Sequence, residues 1–285
     1  MKKGDGSMIY MDNAATTRLH PEVINAMLPY MGKRYANPSG AYTFSADVKN
    51  DINNAEAFLA KTIQAKPQEI YITSGGTESD NWAVKIAAEE HRRGHIITTA
   101  MEHHAILKSC EAVEKEGFYV TYIRPAENGI VRLTDIQRAV RPDTFLISVM
   151  AANNEIGTIQ PVAQIGAFAR RHRILFHTDA VQAAGHVEID LTKLQADFLS
   201  VSAHKFHGPK GCGFLYVKNG FRTESLLEGG AQEKGKRAGT ENVPGIVGMA
   251  AALEESLINR DKKDTFVLEL RRQVAERLLS IEGSH

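Results

Sequence analysis

The sequence of 285 residues has few of the features that indicate a secreted or metal-binding protein. Its only cysteines are Cys110 and Cys212, and neither belongs to a paired spacing such as CxxC. Two cysteines are too few for a disulfide framework, so we expect both thiols to stay reduced. No metal site is expected either.

Neither sign of charge is in excess, and long apolar runs are absent. Lys+Arg and Asp+Glu both total 34, which gives a formal net charge of +0 and argues against nucleic acid or a membrane surface as partner. No stretch approaches the roughly 20 apolar residues that cross a bilayer. Residues 1–6 lack the apolar core of a signal peptide, so a cytoplasmic protein is expected.

From residue 69 onward, short apolar runs alternate with helical stretches. The predicted strands are 70–73, 95–98, 119–122, 145–149, 174–177, 198–201 and 213–217. Most connections are long enough for a crossover helix, which predicts an α/β fold with a mostly parallel, helix-covered sheet. The connection before 213–217 is short and rich in glycine and proline, so this last strand is predicted to run antiparallel.

Helical periodicity flanks this region on both sides. Apolar residues recur at spacings of three and four in 21–31 and 45–63, and helical patterns return in 243–258 and 266–279. We therefore predict an amino-terminal segment of the small lobe or site edge over 1–20, a large domain over 21–242 and the start of a small α+β lobe over 243–285. The sequence supplies no strands for that lobe after 279.

A glycine pair follows the first predicted strand, within 74–79 (SGGTES). Gly76 permits close backbone approach, Thr77 adds a hydroxyl, and the next helix offers its first N–H groups to a phosphate. An ordinary helix cap explains the segment equally well. The glycines form neither GxGxxG nor a Walker loop, so neither a dinucleotide nor a nucleoside triphosphate is indicated.

Further polar side chains follow the other predicted strands, where open α/β sheets bind ligands. His103 can stack on an aromatic ring, although a capping role is the simpler reading, and His103 and His104 cannot both face one site. Asn154 offers an amide in a segment that also suits a turn. Asp179 is either a helix cap or an anion that keeps a pyridine nitrogen protonated, with Gln182 beside it.

Lys205 stands just after the run 198–201, between a Ser202/His204 pair and a Gly/Pro turn. By itself it reads as a surface lysine. Together with a phosphate cradle, a stacking histidine and an acid for a ring nitrogen, its amine completes the requirements of pyridoxal 5′-phosphate (PLP), which a lysine holds as a Schiff base.

Eight segments resemble motifs of the cysteine desulfurase family, within the class V aminotransferase group of fold type I PLP enzymes. They are 10–17, 73–79, 102–103, 153–157, 177–182, 202–205, 208–211 and 237–240. The resemblance covers nearly the whole chain. It implies the PLP-dependent transferase fold and conversion of L-cysteine to L-alanine, with sulfane sulfur passed to an acceptor such as an iron–sulfur scaffold.

The resemblance also implies roles for individual residues. Lys205 and His103 would be catalytic, Asp179 would pair with the ring nitrogen, and Asn154 and Gln182 would lie at the cofactor. The implied cofactor-binding set is Gly76, Thr77, His103, Asn154, Asp179, Gln182, Ser202, His204, Lys205 and Thr240. Thr240 would reach the phosphate of a neighbouring subunit, which implies a homodimer.

The family's sulfur-accepting cysteine and its substrate-binding arginine belong to a carboxy-terminal region that does not occur before His285. Cys110 and Cys212 do not match the position of that cysteine. We therefore expect this chain to show little desulfurase activity alone. The alternatives are another class V enzyme, such as a selenocysteine lyase or a small-amino-acid transaminase, or a non-catalytic PLP-binding or dimerisation module.

Overall fold

The computed structural model describes residues 8–91, 93–221, 225–258 and 260–284. The first residues of the predicted segment 1–20, including the polar start, lie outside these ranges. The sheet contains β1 (Ile70–Thr73), β2 (His95–Thr99), β3 (Tyr119–Ile123), β4 (Thr144–Ser148), β5 (Leu175–Asp179), β6 (Phe198–Ser202) and β7 (Gly213–Val217). The helices are α1 (Pro21–Met27), α2 (Thr43–Thr62), α3 (Gly76–Glu89), α4 (His104–Lys115), α5 (Leu133–Ala139), α6 (Val162–Arg171), α7 (Leu191–Leu194), α8 (Gln232–Gly235), α9 (Val243–Leu257) and α10 (Arg260–Leu279).

The strands form one sheet in the order β1-β7-β6-β5-β4-β2-β3. The five strands from β6 to β3 in this order pair in parallel, and β7 pairs antiparallel with both β1 and β6. The mostly parallel α/β fold and the antiparallel last strand are therefore as predicted. The link between Ser202 and Gly213 is too short for a crossover helix, so the chain returns beside the strand it has just left.

Helices cover both faces of the sheet. Neighbouring residues on each strand point to opposite sides, so each face contributes to its own buried cluster. Ile96 and Phe198 join one buried cluster with residues of α3 and α4. Ile97 and Leu199 join a larger cluster with residues of α2, α6 and α9. With both faces buried, the polar residues that end the parallel strands are the ones left to meet a ligand.

The terminal helices differ in part from the sequence pattern. The predicted helix 21–31 ends as an α-helix at Met27 and continues as a 3₁₀ turn, Leu28–Met31. Pro29 explains the change, because its ring clashes with the preceding turn and it has no N–H to donate. None of the helices in the described ranges is both long and apolar enough to cross a bilayer.

The two carboxy-terminal helices have different surroundings. Helix α9 contributes Ile246, Met249 and Leu253 to the larger buried cluster. Helix α10 has no buried residue among those described, and its Leu268, Val274 and Leu278 are each more than half exposed. The domain division at residue 243 stays a prediction.

The segment after β7 is hydrogen-bonded to β1, the first strand in the sheet order. The carboxylate of Glu233 accepts a hydrogen bond from the backbone N–H of Ile72 at 2.9 Å. The ammonium group of Lys234 donates to the carbonyl of Ile70 at 2.7 Å. Two consecutive side chains thus satisfy backbone groups of a strand that has a neighbouring strand on one side only.

We expect Glu233→Ala to destabilise the fold by about 1–3 kcal/mol, because the buried N–H of Ile72 would lose its acceptor. Glu233→Gln is the matched control, since its side-chain oxygen can still accept. Urea unfolding at pH 6 gives the free energies, and amide hydrogen exchange at Ile72 reports the bond directly. Equal stability of the two variants would contradict the role of this contact.

Candidate active site

A cavity of about 590 Å³ lies at the carboxyl ends of the parallel strands. Its lining residues come from the amino-terminal segment and from the ends of several strands. They are Asp12, Ala14, Ala15, Gly76, Thr77, Asp80, His103, Met150, Asn154, Glu155, Asp179, Val181, Gln182, Ser202, His204 and Lys205. The structure thus brings together every member of the predicted cofactor-binding set except Thr240.

One end of the cavity is an anion cradle at the start of α3. Gly75 precedes the helix with φ +144°, a conformation that side-chain-bearing residues rarely adopt. Gly76 and Thr77 are the first residues of the helix, so their N–H groups have no partner within it. Ser202 and His204 line this end as well. Backbone amides, hydroxyls and the helix dipole make it suitable for a phosphate.

Lys205 ends the 3₁₀ turn Ala203–Lys205 that follows β6. Its Nζ donates to the carbonyl oxygens of Ala14 at 2.5 Å and Ala15 at 2.9 Å. Burial lowers the pKa of this amine, while Asp179, Asp12 and Glu155 act in the opposite direction. A half-buried amine with a lowered pKa is a better nucleophile toward a carbonyl than an exposed lysine.

Asp179 is the last residue of β5 and only 4% exposed. Its Oδ1 accepts a hydrogen bond from the backbone N–H of Val181 at 2.8 Å. Burial raises the pKa of Asp179, and the Val181 N–H, His103 and Lys205 counteract that effect. The carboxyl group is thus held in place at the floor of the cavity.

The remaining predicted residues occupy the walls. His103 caps α4, its Nδ1 accepting from the N–H of Ala105 at 3.1 Å, and the ring lines the cavity while His104 does not. Asn154 lines the cavity and donates to Glu155 at 2.6 Å. Its neighbour Asn153 is instead buried and holds the turn through its own hydrogen bonds.

The amino-terminal segment lies across the mouth of this site. The carbonyl of Ala14 accepts hydrogen bonds from both Gln182 Nε2, at 3.0 Å, and Lys205 Nζ. Thr17 donates from its N–H and its hydroxyl to the carbonyl of His204. Local sequence patterns could not predict these contacts, because they join positions 168 to 191 residues apart.

The sequence motifs do not mark a group of buried ionisable residues in and around the cavity. Asp80 is 1% exposed, Glu102 is 5% exposed and His177 is fully buried. Asp80 follows Thr77 by three residues, which places both on one face of α3 and was the available signal. Glu102 Oε1 accepts from the Thr99 hydroxyl and the Met150 N–H, at 2.7 and 3.0 Å. Burial raises the pKa of Glu102 to about 8.

Thr240 and the two cysteines lie away from the cavity. Thr240 is exposed on the segment after β7, beside a separate small pocket. Cys110 and Cys212 are buried free thiols, and burial raises the pKa of each to about 12. Neither is a reactive thiolate at neutral pH.

The cradle depends on a glycine in β7 that sequence reasoning did not single out. A Cβ atom at Gly213 would lie 2.4 Å from the carbonyl oxygen of Val201 and 2.8 Å from Gly75 Cα.

We expect Gly213→Ala to displace the cradle backbone and to destabilise the fold by about 1–3 kcal/mol. Urea unfolding and amide exchange at Gly76 measure these effects. The control is Gly32→Ala, because nothing lies within 4 Å of that position; a loss as large in the control would remove the support for this contact.

Glu102 makes stability depend on pH in a defined direction. Its pKa is higher in the folded state than in the unfolded chain, so folding favours the protonated form. Its contribution is therefore greatest at low pH and is lost as pH rises from about 4.5 to about 8.

We expect Glu102→Gln, which mimics the neutral acid, to raise the free energy of unfolding relative to the wild type as pH increases from 5 to 8. The relative gain is about 2–5 kcal/mol. Urea unfolding at several pH values measures it, with Glu116→Gln, at an exposed position, as control. Parallel pH profiles for the wild type and Glu102→Gln would contradict the assignment.

Comparisons with known proteins agree with this geometry. The aminotransferase class-V family matches residues 9–285. A cysteine desulfurase IscS from Methanosarcina thermophila is 50% identical over 283 residues, which cover 99% of this chain and 70% of that relative. A putative cysteine desulfurase IscS 1 from Bacillus subtilis is 45% identical over 258 residues, covering 90% of this chain and 68% of the relative.

Solved structures support the same relationship. A NifS-like protein superposes with a TM-score of 0.93 at 40% identity, covering 96% of this chain and 76% of that one. The structure titled SspA in complex with cysteine gives a TM-score of 0.85 at 41% identity, covering 87% and 72%. The chain therefore belongs to the cysteine desulfurase family of class V aminotransferases, as its motifs indicated.

Proposed function

We propose that this cavity binds PLP and that the chain acts in the conversion of L-cysteine to L-alanine with release of sulfane sulfur to an acceptor. The observation that carries the proposal is the placement of an amine of lowered pKa, a buried aspartate and an anion cradle around one cavity. The amine would bind the aldehyde of PLP, the aspartate would bind its ring nitrogen, and the cradle would bind its phosphate.

The cradle fits the phosphate because it leaves no room for a side chain at its base. A Cβ at Gly76 would lie 2.7 Å from Val181 Cγ2, so only glycine lets the backbone take this position without displacing Val181. The N–H groups of Gly76 and Thr77 would donate to phosphate oxygens, joined by the hydroxyl of Ser202 and the ring of His204. Burial and the nearby Lys205 and Lys210 lower the pKa of His204.

The floor and walls fit the ring. Asp179 would pair with the ring nitrogen, His103 would stack on the ring face, and Gln182 would contact the phenolic oxygen. When bound, PLP supplies an electron-withdrawing ring that stabilises negative charge at the substrate carbon. Asp179 sustains that property because a buried anion favours the protonated ring nitrogen.

Lys205 would have two tasks at one atom. Its Nζ would hold the cofactor covalently and, once displaced by the substrate amine, would take the proton from the substrate carbon and return it. The lowered pKa suits both tasks, because each requires the neutral amine. Asn154, at the wall of the cavity, would lie near the substrate.

Two further assignments belong to this proposal. We assign the exposed Thr240 to the cofactor phosphate of a second copy in a homodimer, since Thr240 does not line the 590 Å³ cavity of its own chain. The sulfur acceptor is a separate protein, such as an iron–sulfur scaffold. Cys110 and Cys212 do not take up the sulfur, because both thiols are buried and protonated.

Lys205→Ala tests the proposal directly. We expect the wild type incubated with PLP to show the absorbance of lysine-bound cofactor, and borohydride reduction to leave a pyridoxyl adduct on the peptide that contains Lys205. The variant should lose both signals, because Lys205 is the lysine that lines the 590 Å³ cavity in the described ranges, whereas Lys210 lies at the cradle end, where the phosphate would bind.

The control is Lys108→Ala, a lysine whose side chain is 68% exposed on the surface. It should keep both the absorbance and the adduct on Lys205. An adduct distributed over surface lysines, or a spectrum that Lys205→Ala leaves unchanged, would refute the proposed site.

A further inference from the structure

Asp80 is a buried carboxyl group beside Asp179 for which neither the sequence motifs nor the proposed mechanism provides a role. It is the fifth residue of α3, is 1% exposed and lines the same cavity as Asp179. Its Oδ1 is buried and has no hydrogen-bond partner in the described part of the chain. An ionised carboxylate in such surroundings would be costly, because burial penalises a charge that lacks partners.

Asp179 and Asp80 differ in the neighbouring groups that stabilise or destabilise their charged forms. Asp179 has the N–H of Val181 at 2.8 Å, and His103 and Lys205 favour its charge. Within the described part of the chain, no cation is among the groups that shift the pKa of Asp80. Burial raises the pKa of Asp80 most, the nearby acids Asp179 and Glu102 raise it further, and only the Ser200 hydroxyl acts against them.

His177 does not supply the missing positive charge. Its Nε2 lies 3.6 Å from Asp80 Oδ1, but burial lowers the pKa of this histidine to about 3, so the ring is neutral. Both ring nitrogens already have partners, the hydroxyl of Ser148 at 2.8 Å and that of Ser200 at 3.0 Å. The imidazole is thus a neutral polar wall beside Asp80.

Two adjacent buried carboxyl groups do not both ionise readily, so one of them retains a proton. The groups that α3, β5, the start of α4 and the Lys205 turn place around the two aspartates favour Asp179 as the charged one of the pair. We propose that Asp80 is a positioning residue that stays a neutral acid and thereby leaves the negative charge on Asp179, where the ring nitrogen of the cofactor would lie. The inference rests on the proposed PLP site.

Asp80→Asn and Asp179→Asn form a matched pair, because each replaces one carboxyl group by an amide of the same size. Infrared spectra of the PLP-loaded protein distinguish protonated from ionised carboxyl groups by their carbonyl stretches. We expect Asp80→Asn to remove a protonated-acid band and Asp179→Asn to remove a carboxylate band. Glu102→Gln identifies the band of the other buried acid. The reverse assignment for Asp80 and Asp179 would overturn the proposal.

Binding provides a second readout, which shows directly which of the two aspartates carries the charge at the ring nitrogen. The probes are PLP and its 1-deaza analogue, in which a C–H group replaces the ring nitrogen. We expect the wild type to prefer PLP by about tenfold or more, and Asp179→Asn to lose this preference, since a charge-assisted hydrogen bond disappears. Asp80→Asn should keep the preference within about twofold, because a neutral group replaces a neutral group.

A preference that falls in Asp80→Asn as far as in Asp179→Asn would show that Asp80 carries charge, and would overturn the proposal. Failure of the PLP site itself gives a different result, since wild-type protein would then not discriminate between the two probes. In that case infrared spectra of the cofactor-free protein still decide which aspartate holds the proton. Circular dichroism confirms that each variant is folded.

Discussion

The site depends on burial of several ionisable groups at one edge of a sheet whose two faces are covered. Asp80, Glu102 and Asp179 are each no more than 5% exposed. Lys205 is half-buried and lines the same cavity as Asp80 and Asp179. Desolvation moves the pKa of the acids upward and that of the lysine downward. Neutral forms are thereby favoured, except where a specific partner such as the Val181 N–H favours charge. The lowered pKa of the Lys205 amine follows from this constraint, and under the proposed function so would the single anion, Asp179, that pairs with the ring nitrogen.

The backbone provides the second requirement, which is close approach. Strand β7 runs antiparallel between β1 and β6, and Gly213 lets it pass the cradle at Gly75 without a side chain between them. The amino-terminal segment then covers the site, with the carbonyls of Ala14 and Ala15 engaging Lys205 and Gln182. The cradle, the lysine and the cover are therefore held by contacts among three separate parts of the chain.

Family membership and the geometry support each other at different levels. Relatives such as the Methanosarcina thermophila cysteine desulfurase IscS establish the family over 99% of this chain. The structure adds which side chains share the cavity, and it separates His103 from His104 and Asn154 from Asn153. It also shows that the two cysteines are buried thiols, which fits the expectation that neither takes up sulfur.

The sequence by itself determined the strand positions, the mostly parallel sheet and the residues that follow each strand, because hydrophobic period and turn residues are local signals. Its motifs also indicated the family and the set around Lys205 and Asp179. Tertiary structure alone decided the burial of Asp80 and Glu102, the close approach of backbones at Gly213 and the position of Ala14 over the site. These depend on contacts between distant residues, which local patterns do not encode. Protonation was likewise decided by the fold, since burial and neighbouring charge, rather than residue type, determine which carboxyl group stays ionised.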